Sequence, residues 1–141
     1  MKTTAIVIAA MMLPSVAWSQ PPAAKFNLRC RLVLWLVEDD AGGQIRPVAS
    51  KNDVELVLDL AEKRWCDRAD CGDVSLLRSS KDYIILSRGS PIPTEIKMYD
   101  SINRRTGRYT SVTEYASGKS KDTKAYSCSP TKFTGLPAYK F

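Results

Sequence analysis

The chain has 141 residues, four cysteines, no histidine and a formal net charge of +6. This length is enough for one ordinary domain with a single hydrophobic core. The lack of histidine excludes Ser-His-Asp and Cys-His nucleophilic systems, histidine-containing zinc sites and histidine proton shuttles. The positive charge favours anionic partners such as lipid head groups, acidic polysaccharide or nucleic acid, although in most small basic domains it serves solubility alone.

The N-terminus has the layout of a secretory signal peptide. Lys2 precedes an uncharged apolar run over 5–13, and the small residues Ala17 and Ser19 offer a cleavage site. The run is about half the ~20 residues that a membrane-spanning helix needs, so we expect no transmembrane segment in the mature chain. Cleavage after Ser19 is preferred to cleavage after Ala17. The predicted organisation is a signal peptide over 1–19, a flexible tail over 20–25 and one β domain over 26–141 with an irregular C-terminal tail, in a periplasmic or secreted protein.

Alternating apolar residues predict a first strand after the tail. The residues on its predicted buried face are Phe26, Leu28, Cys30, Leu32, Leu34 and Leu36. This period of two is typical of a half-buried strand, and the second half of the segment is apolar on both faces. The acids, glycines and proline of residues 38–47 predict a loop.

A second alternating segment covers residues 54–60, with Leu56, Leu58 and Leu60 on one face. It predicts a strand that turns through residues 61–63 into a partner strand over 64–66. Because Leu, Glu, Ala and Lys favour helix, a helix over 53–63 is the competing interpretation.

Shorter segments complete a β-rich pattern. Residues 74–77 and 83–87 predict two strands joined by a polar turn, and residues 95–102 and 107–115 predict a hairpin. Gly107 can adopt the positive φ that a bulged hairpin needs. The remaining segments are a loop over 88–94, a flexible connection over 116–123, a last strand over 124–128 and an irregular tail over 129–141. The predicted fold is mostly β: an antiparallel meander of about seven or eight short strands, closed into a small barrel or folded as a sandwich.

The four cysteines predict two structural disulfides, since an even number in an exported chain of this size is typical of a disulfide framework. Cys66 and Cys71 enclose only four residues, and a turn between them can bring their Cα atoms to bonding distance. The pairing Cys30–Cys128 with Cys66–Cys71 is preferred to the two crossed alternatives. A zinc site would show two closely spaced cysteine pairs, and a redox pair would show C-x-x-C, so both are disfavoured.

Several short motifs resemble a group of exported proteins. They are DLAEKRWC over 59–66, the second cysteine nearby, INRRTGRY over 102–109, and Cys128 followed by FTGLPAYKF. Together they resemble short exported, disulfide-containing β proteins of Gram-negative bacteria for which no activity is known. The resemblance implies a periplasmic β domain, and it carries no functional residues to this chain.

The hairpin over 95–115 contains the strongest candidate binding site. Arginine side chains bind phosphate or carboxylate oxygens in pairs, and tyrosine rings can stack beside such a ligand. The alternative is a solvated turn whose charges keep the sheet edge from pairing. The candidate ligand-binding residues are Arg104, Arg105, Arg108, Lys97, Tyr99 and Tyr109.

Other motifs point less clearly to a site. Residues 118–120 read Gly-Lys-Ser but lack the earlier glycine of a phosphate-binding loop. The acids of 38–40 and those flanking the Cys66–Cys71 loop lack the twelve-residue calcium pattern. Tyr139 and Phe141 match the aromatic ending of outer-membrane barrel strands, although the short polar segments fit such a barrel poorly. Trp35 and Trp65 are predicted to fill the core, or else to line a ligand cavity.

These observations favour a non-enzymatic exported domain with no cofactor, no metal and no specific nucleic-acid partner. We expect it to bind an anionic envelope component or a secreted or periplasmic protein through the basic hairpin. Two alternatives remain: a small barrel that encloses an apolar ligand against Trp35 and Trp65, and an inhibitor of a secreted enzyme.

Overall fold

A computed structural model describes residues 24–71, 75–87, 96–115 and 120–136. These residues contain two three-residue 3-10 helices, Ser50–Asn52 and Arg68–Asp70, and no α-helix. The strands are β1 Lys25–Asp39, β2 Gly42–Ile45, β3 Val54–Asp59, β4 Arg64–Asp67, β5 Ser75–Ser79, β6 Tyr83–Leu86, β7 Ile96–Asn103, β8 Arg108–Tyr115 and β9 Ser120–Thr131.

The strands form an antiparallel barrel. Each of β3 to β9 pairs with its neighbour in sequence, and β1 pairs with both β3 and β9, which closes eight strands into a ring. The remaining strand, β2, pairs with the C-terminal end of β1. The prediction of a mostly β antiparallel meander is confirmed, and the barrel is the architecture that forms. Closure pairs β1 with β9, the two edges of the eight-stranded sheet, which otherwise would be open to pairing with another chain.

The 15-residue strand β1 belongs to two parts of the structure. Along one edge its residues 25–30 pair with β3 and residues 36–39 pair with β2, while the other edge pairs with β9 over 27–39. The register with β9 shifts between Leu32 and Leu34. Beyond this bulge β1, β2 and the ends of β7, β8 and β9 extend the wall of the barrel past the short strands.

The core lies inside the closed ring and follows the predicted alternation up to the bulge. Beyond it the face is reversed, because one extra residue moves each later side chain to the opposite side. Trp35, not Leu34 or Leu36, packs against the core, so the prediction for those two leucines is wrong. The buried core residues are Phe26, Leu28, Cys30, Leu32, Leu56, Leu58, Trp65, Leu77, Ile84, Leu86, Ile102, Tyr109, Tyr126 and Cys128.

Both predicted disulfides are present. Cys30 and Cys128 lie directly opposite each other on β1 and β9, so this bond crosses the seam that closes the barrel. Cys66–Cys71 closes the short loop that contains the second 3-10 helix. The described residues contain no free cysteine.

Two hairpin turns share one geometry. The β3–β4 turn runs from Asp59 to Arg64 and the β7–β8 turn from Asn103 to Arg108, each with four residues between the paired positions. In each turn the first side chain accepts a backbone N–H: Asp59 Oδ1 from Glu62 and Asn103 Oδ1 from Thr106. The last loop residue has a positive φ, 54° at Lys63 and 67° at Gly107. The hairpin and the positive φ predicted at Gly107 are therefore confirmed, whereas the β7–β8 pairing continues from Asn103–Arg108 without the predicted bulge.

Several boundaries differ from the prediction. The loop predicted over 38–47 contains β2, whose residues pair with the exposed edge of β1. The flexible connection predicted over 116–123 is already strand from Ser120 onward, and β9 continues to Thr131. Residues 53–63 form β3 and its turn, so the competing helix is wrong. The expected signal peptide (1–19), most of the 20–25 tail, the 88–94 loop and residues 137–141 lie outside the described residues. Among the residues described, no helix is long and apolar enough to cross a membrane.

Candidate anion-binding face

Arg104 and Arg105 lie at the tip of the β7–β8 hairpin and bind the neighbouring β5–β6 turn. The Arg104 guanidinium donates to the Ser80 carbonyl oxygen at 2.7 Å. Arg105 Nε donates to Asp82 Oδ1, also at 2.7 Å, in an exposed ion pair. These contacts fasten the two hairpin ends together, so both arginines have structural partners.

Tyr109 does not lie beside those arginines on the surface. Its side chain is 3% exposed, its hydroxyl donates to Asp100 Oδ1 at 3.0 Å, and its ring stacks on Tyr126 with centroids 5.0 Å apart. The prediction that Tyr109 could stack against a surface ligand is wrong, because the residue faces the core.

Lys97 and Tyr99 are exposed on β7, but far from the hairpin tip. Asn103, at the tip, pairs with Arg108. At roughly 3.4 Å per residue, Tyr99 lies about 14 Å and Lys97 about 20 Å along the strand from that pair. The structure therefore does not bring the six predicted residues into one site.

Arg108 instead lies in a row with a residue from β1. In the sheet Arg108 pairs with Ser127 of β9, and Ser127 pairs with Arg31 of β1. Paired residues project from the same face, and all three are exposed. With adjacent strands about 4.8 Å apart, the Cα atoms of the two arginines lie roughly 10 Å apart with the serine between them.

Arg29 extends this surface by one row, since it pairs with the exposed Ser129 on β9. We call these residues the arginine face: Arg29, Arg31, Arg108, Ser127 and Ser129. Among the described residues no ion pair or hydrogen bond engages the side chain of Arg31 or Arg108. Three guanidinium groups therefore surround two small hydroxyl side chains on the outer wall of the barrel.

The rim of the arginine face carries one carboxylate that is already occupied. Glu55 Oε1 accepts hydrogen bonds from Asn27 Nδ2 at 2.9 Å and from Arg68 at 2.8 Å. These bonds, Asn27 first and then Arg68, with a smaller attraction from Arg29, lower the pKa of Glu55 below its ordinary value of 4.5. Because Glu55 is bound by Asn27 and Arg68, it does not neutralise Arg31 or Arg108.

Sequence reasoning identified Arg108 and missed Arg29 and Arg31. The signal was available, because the predicted Cys30–Cys128 bond places β1 beside β9. Antiparallel pairing at Cys30 and Cys128 puts Arg31 opposite Ser127, and alternation turns both outward. Combining the disulfide with the period of two would have located the arginine face.

The other singled-out residues have local structural roles. Asp39 Oδ1 accepts the Ala41 amide, and Asp67 Oδ1 accepts the Ala69 amide, so both acids stabilise turns. Within the described ranges no group of three or more Cys, Asp or Glu side chains could hold a metal ion. Ser120 begins a strand, so no helix follows residues 118–120 as a phosphate-binding loop requires.

Trp35 and Trp65 occupy different environments. Trp65 is 2% exposed, and its Nε1 donates to the Leu76 carbonyl at 3.0 Å and the Ser87 carbonyl at 3.2 Å. Trp35 is only half-buried and lies where the barrel opens, with Lys124 Nζ 4.6 Å from its ring centroid. The prediction of a core role is confirmed for Trp65, whereas Trp35 lies at the edge of the core.

No protein-family model, curated protein or solved structure matches this chain. The resemblance to short exported proteins therefore stays a prediction.

Proposed function

We propose that this protein is a non-enzymatic, exported binding domain that recognises an anionic envelope component through the arginine face. The observation that carries the proposal is the row Arg31–Ser127–Arg108, which three adjacent strands present on one exposed surface. The two disulfides support export, because such bonds persist in oxidising compartments.

The spacing within this row suits phosphate, sulfate or carboxylate groups. Guanidinium groups donate paired hydrogen bonds to such oxygens, and the serine hydroxyls between them leave room for the ligand and add donors. A flat row on the barrel wall fits repeated charges on a polymer or a membrane surface better than one small anion. In this proposal Arg104 and Arg105, which already bind Ser80 and Asp82, stabilise the adjacent turn and do not bind the ligand.

The test compares two double variants that change the net charge equally. Arg31→Gln with Arg108→Gln removes the row. The control, Arg78→Gln with Lys81→Gln, removes two exposed charges from β5 and its turn, and β5 lies on the opposite side of the ring from β9. Binding is measured to vesicles containing phosphatidylglycerol and to an immobilised sulfated polysaccharide, as a function of salt.

The row variant is expected to lose roughly 30-fold in vesicle affinity, from about 1 kcal/mol for each arginine near an anionic surface. It should also show a weaker dependence on salt, since fewer counterions are displaced. The control should bind nearly as the parent protein does. If both double variants lose affinity equally, net charge alone is responsible and the arginine face is not a recognition site.

A further inference from the structure

An open cavity of about 830 Å³ lies at the end of the barrel where the wall extends past the short strands. Its lining includes Trp35, Val37, Tyr115, Ser120 and Asp122. Ligand-binding pockets in proteins are typically ~300–1,000 Å³, so this cavity has the size for a small molecule. It lies on the inner face of the wall and is separate from the arginine face, which is on the outer face.

The register explains how these side chains meet. Val37 pairs with Asp122 across β1 and β9, and Trp35 pairs with Lys124 one row deeper. The Arg46 amide donates to the Trp35 carbonyl at 2.8 Å, which continues the β1–β2 ladder and sets Arg46 beside Trp35 on the same face. The bulge after Leu32 is what turns Trp35 and Val37 inward.

Two residues that line this cavity, Trp35 and Asp122, each carry a buried polar atom with unmet hydrogen-bonding capacity. Trp35 Nε1, a donor, and Asp122 Oδ1, an acceptor, are both buried and have no hydrogen-bond partner among the described residues. Buried polar groups in proteins are nearly always paired, and an unpaired one costs free energy. By contrast Trp65 Nε1, deep in the core, has two carbonyl partners. Because both atoms are buried, a ligand in the cavity pairs with them only when the two side chains turn toward it, and such a ligand must both accept and donate.

The chemistry of the cavity restricts that ligand further. A purely apolar molecule would leave both atoms unpaired, and an anion without a donor would leave Asp122 unpaired beside a negative charge. A hydroxyl group accepts and donates at once, so adjacent hydroxyls can satisfy both atoms. The apolar face of a sugar ring can also lie against an aromatic side chain such as Tyr115 or Trp35.

We propose that the barrel end is a carbohydrate-binding site in which sugar hydroxyls accept from Trp35 Nε1 and donate to Asp122 Oδ1. Arg46 provides additional donors at the edge of the cavity. This site is independent of the arginine face, and either can fail in experiment without the other.

Trp35 and Trp65 allow a test with an internal control. A ¹H–¹⁵N spectrum of the full oxidised chain contains three indole resonances, from Trp18, Trp35 and Trp65. The resonances of Trp35 and Trp65 are identified by their loss in Trp35→Phe and Trp65→Phe. Glucose, galactose, mannose and N-acetylglucosamine are titrated separately, with cyclohexanol and decanoate as probes that lack adjacent hydroxyls. We expect at least one sugar to shift the Trp35 indole resonance saturably, with a Kd on the order of 1 mM, while the resonance of Trp65 stays in place.

Variants then test the two contacts. Asp122→Ala should weaken sugar binding at least about tenfold, since it removes a charged acceptor. Asp40→Ala, an exposed carboxylate on the β1–β2 turn, is the matched control and should leave binding unchanged. An unshifted Trp65 resonance in each variant shows that the core is intact.

Three results would overturn the proposal: no sugar shifts the Trp35 resonance up to roughly 50 times the expected Kd, Asp122→Ala binds sugar as the parent does, or only decanoate produces the shift. The first means that none of these sugars binds in the cavity. The last would assign the cavity to an apolar anion.

Discussion

The strongest test of the fold is the removal of each disulfide in turn. Cys30 and Cys128 are 98 residues apart in sequence, whereas Cys66 and Cys71 are 5 apart. A bond that closes a longer loop removes more conformational freedom from the unfolded chain. In this account a loop of about 100 residues contributes roughly 4.7 kcal/mol at 25 °C, and one of about 6 residues contributes roughly 2 kcal/mol.

The experiment replaces each pair by alanine and measures the free energy of unfolding in urea by tryptophan fluorescence. The Cys30→Ala, Cys128→Ala variant is expected to lose about 4–5 kcal/mol, and the Cys66→Ala, Cys71→Ala variant about 2 kcal/mol. Because small domains have only about 5–15 kcal/mol of stability, the first loss takes a large share of the total. Loss of the buried sulfur atoms at Cys30 and Cys128 acts in the same direction.

The short-loop variant is the matched control, since it also removes one bond and two sulfur atoms. If it loses as much stability as the Cys30→Ala, Cys128→Ala variant, or more, loop length does not govern the contribution of these bonds and the reasoning fails. Far-UV circular dichroism of both variants checks that the barrel still forms, because β1 and β9 pair over many residues besides the bonded one.

Two further predictions concern the turns and the acids. Lys63 has the positive φ that its structural counterpart, Gly107, adopts without strain; Lys63→Gly should therefore raise the free energy of unfolding by about 0.5–1 kcal/mol, and Gly107→Ala should lower it by about 1 kcal/mol or more. A loss of stability in Lys63→Gly would contradict this reading. Hydrogen bonds lower the pKa of Glu55. At Asp59 burial raises the pKa, but the Glu62 amide and the Lys25 ammonium outweigh burial, so the pKa of Asp59 is also lowered. A carboxyl whose pKa is lowered by folding stabilises the protein only while it is ionised, so the free energy of unfolding should fall as the pH drops below about 4.5. Urea unfolding from pH 7 to pH 3 measures this fall. Glu55→Gln should be less stable than the parent at pH 7 and should lose less stability between pH 7 and pH 3. An identical decrease in that variant would exclude Glu55 as a contributor.

Local patterns predicted the closed part of the fold well. The alternation from Phe26 to Leu32 and from Leu56 to Leu60 reflects burial on one face of the strand, which both a barrel and a sandwich require. The same pattern could not reveal the bulge after Leu32, because residues 32–37 are apolar on both faces and either register buries a large side chain. Strand β2 was also missed, since Gly42 and Gly43 are poor strand formers and pair only because β1 presents an edge to them.

The candidate sites were harder to predict because both depend on pairing between distant segments. Arg31 and Arg108 share a row only through β9, and Trp35 and Asp122 line one cavity only because the bulge has changed the register. The clustering of charge along the chain drew attention to Arg104, Arg105 and Arg108 alike, but Arg104 and Arg105 bind the neighbouring turn. Tyr109 was also hard to place from the sequence, because the residue pattern of β8 does not decide which face of the strand is buried.

The pairing of β1 with β9 determines how the protein has to be made. β3 pairs with β1, and every strand from β4 onward pairs with the one synthesised just before it, but β1 remains without its second neighbour until residues 120–131 have emerged. A nascent chain shorter than this exposes a long hydrophobic strand edge, the feature most prone to intermolecular association. Closure of the ring therefore depends on contacts between residues about 100 positions apart in the chain, the kind of contact that forms slowly during folding.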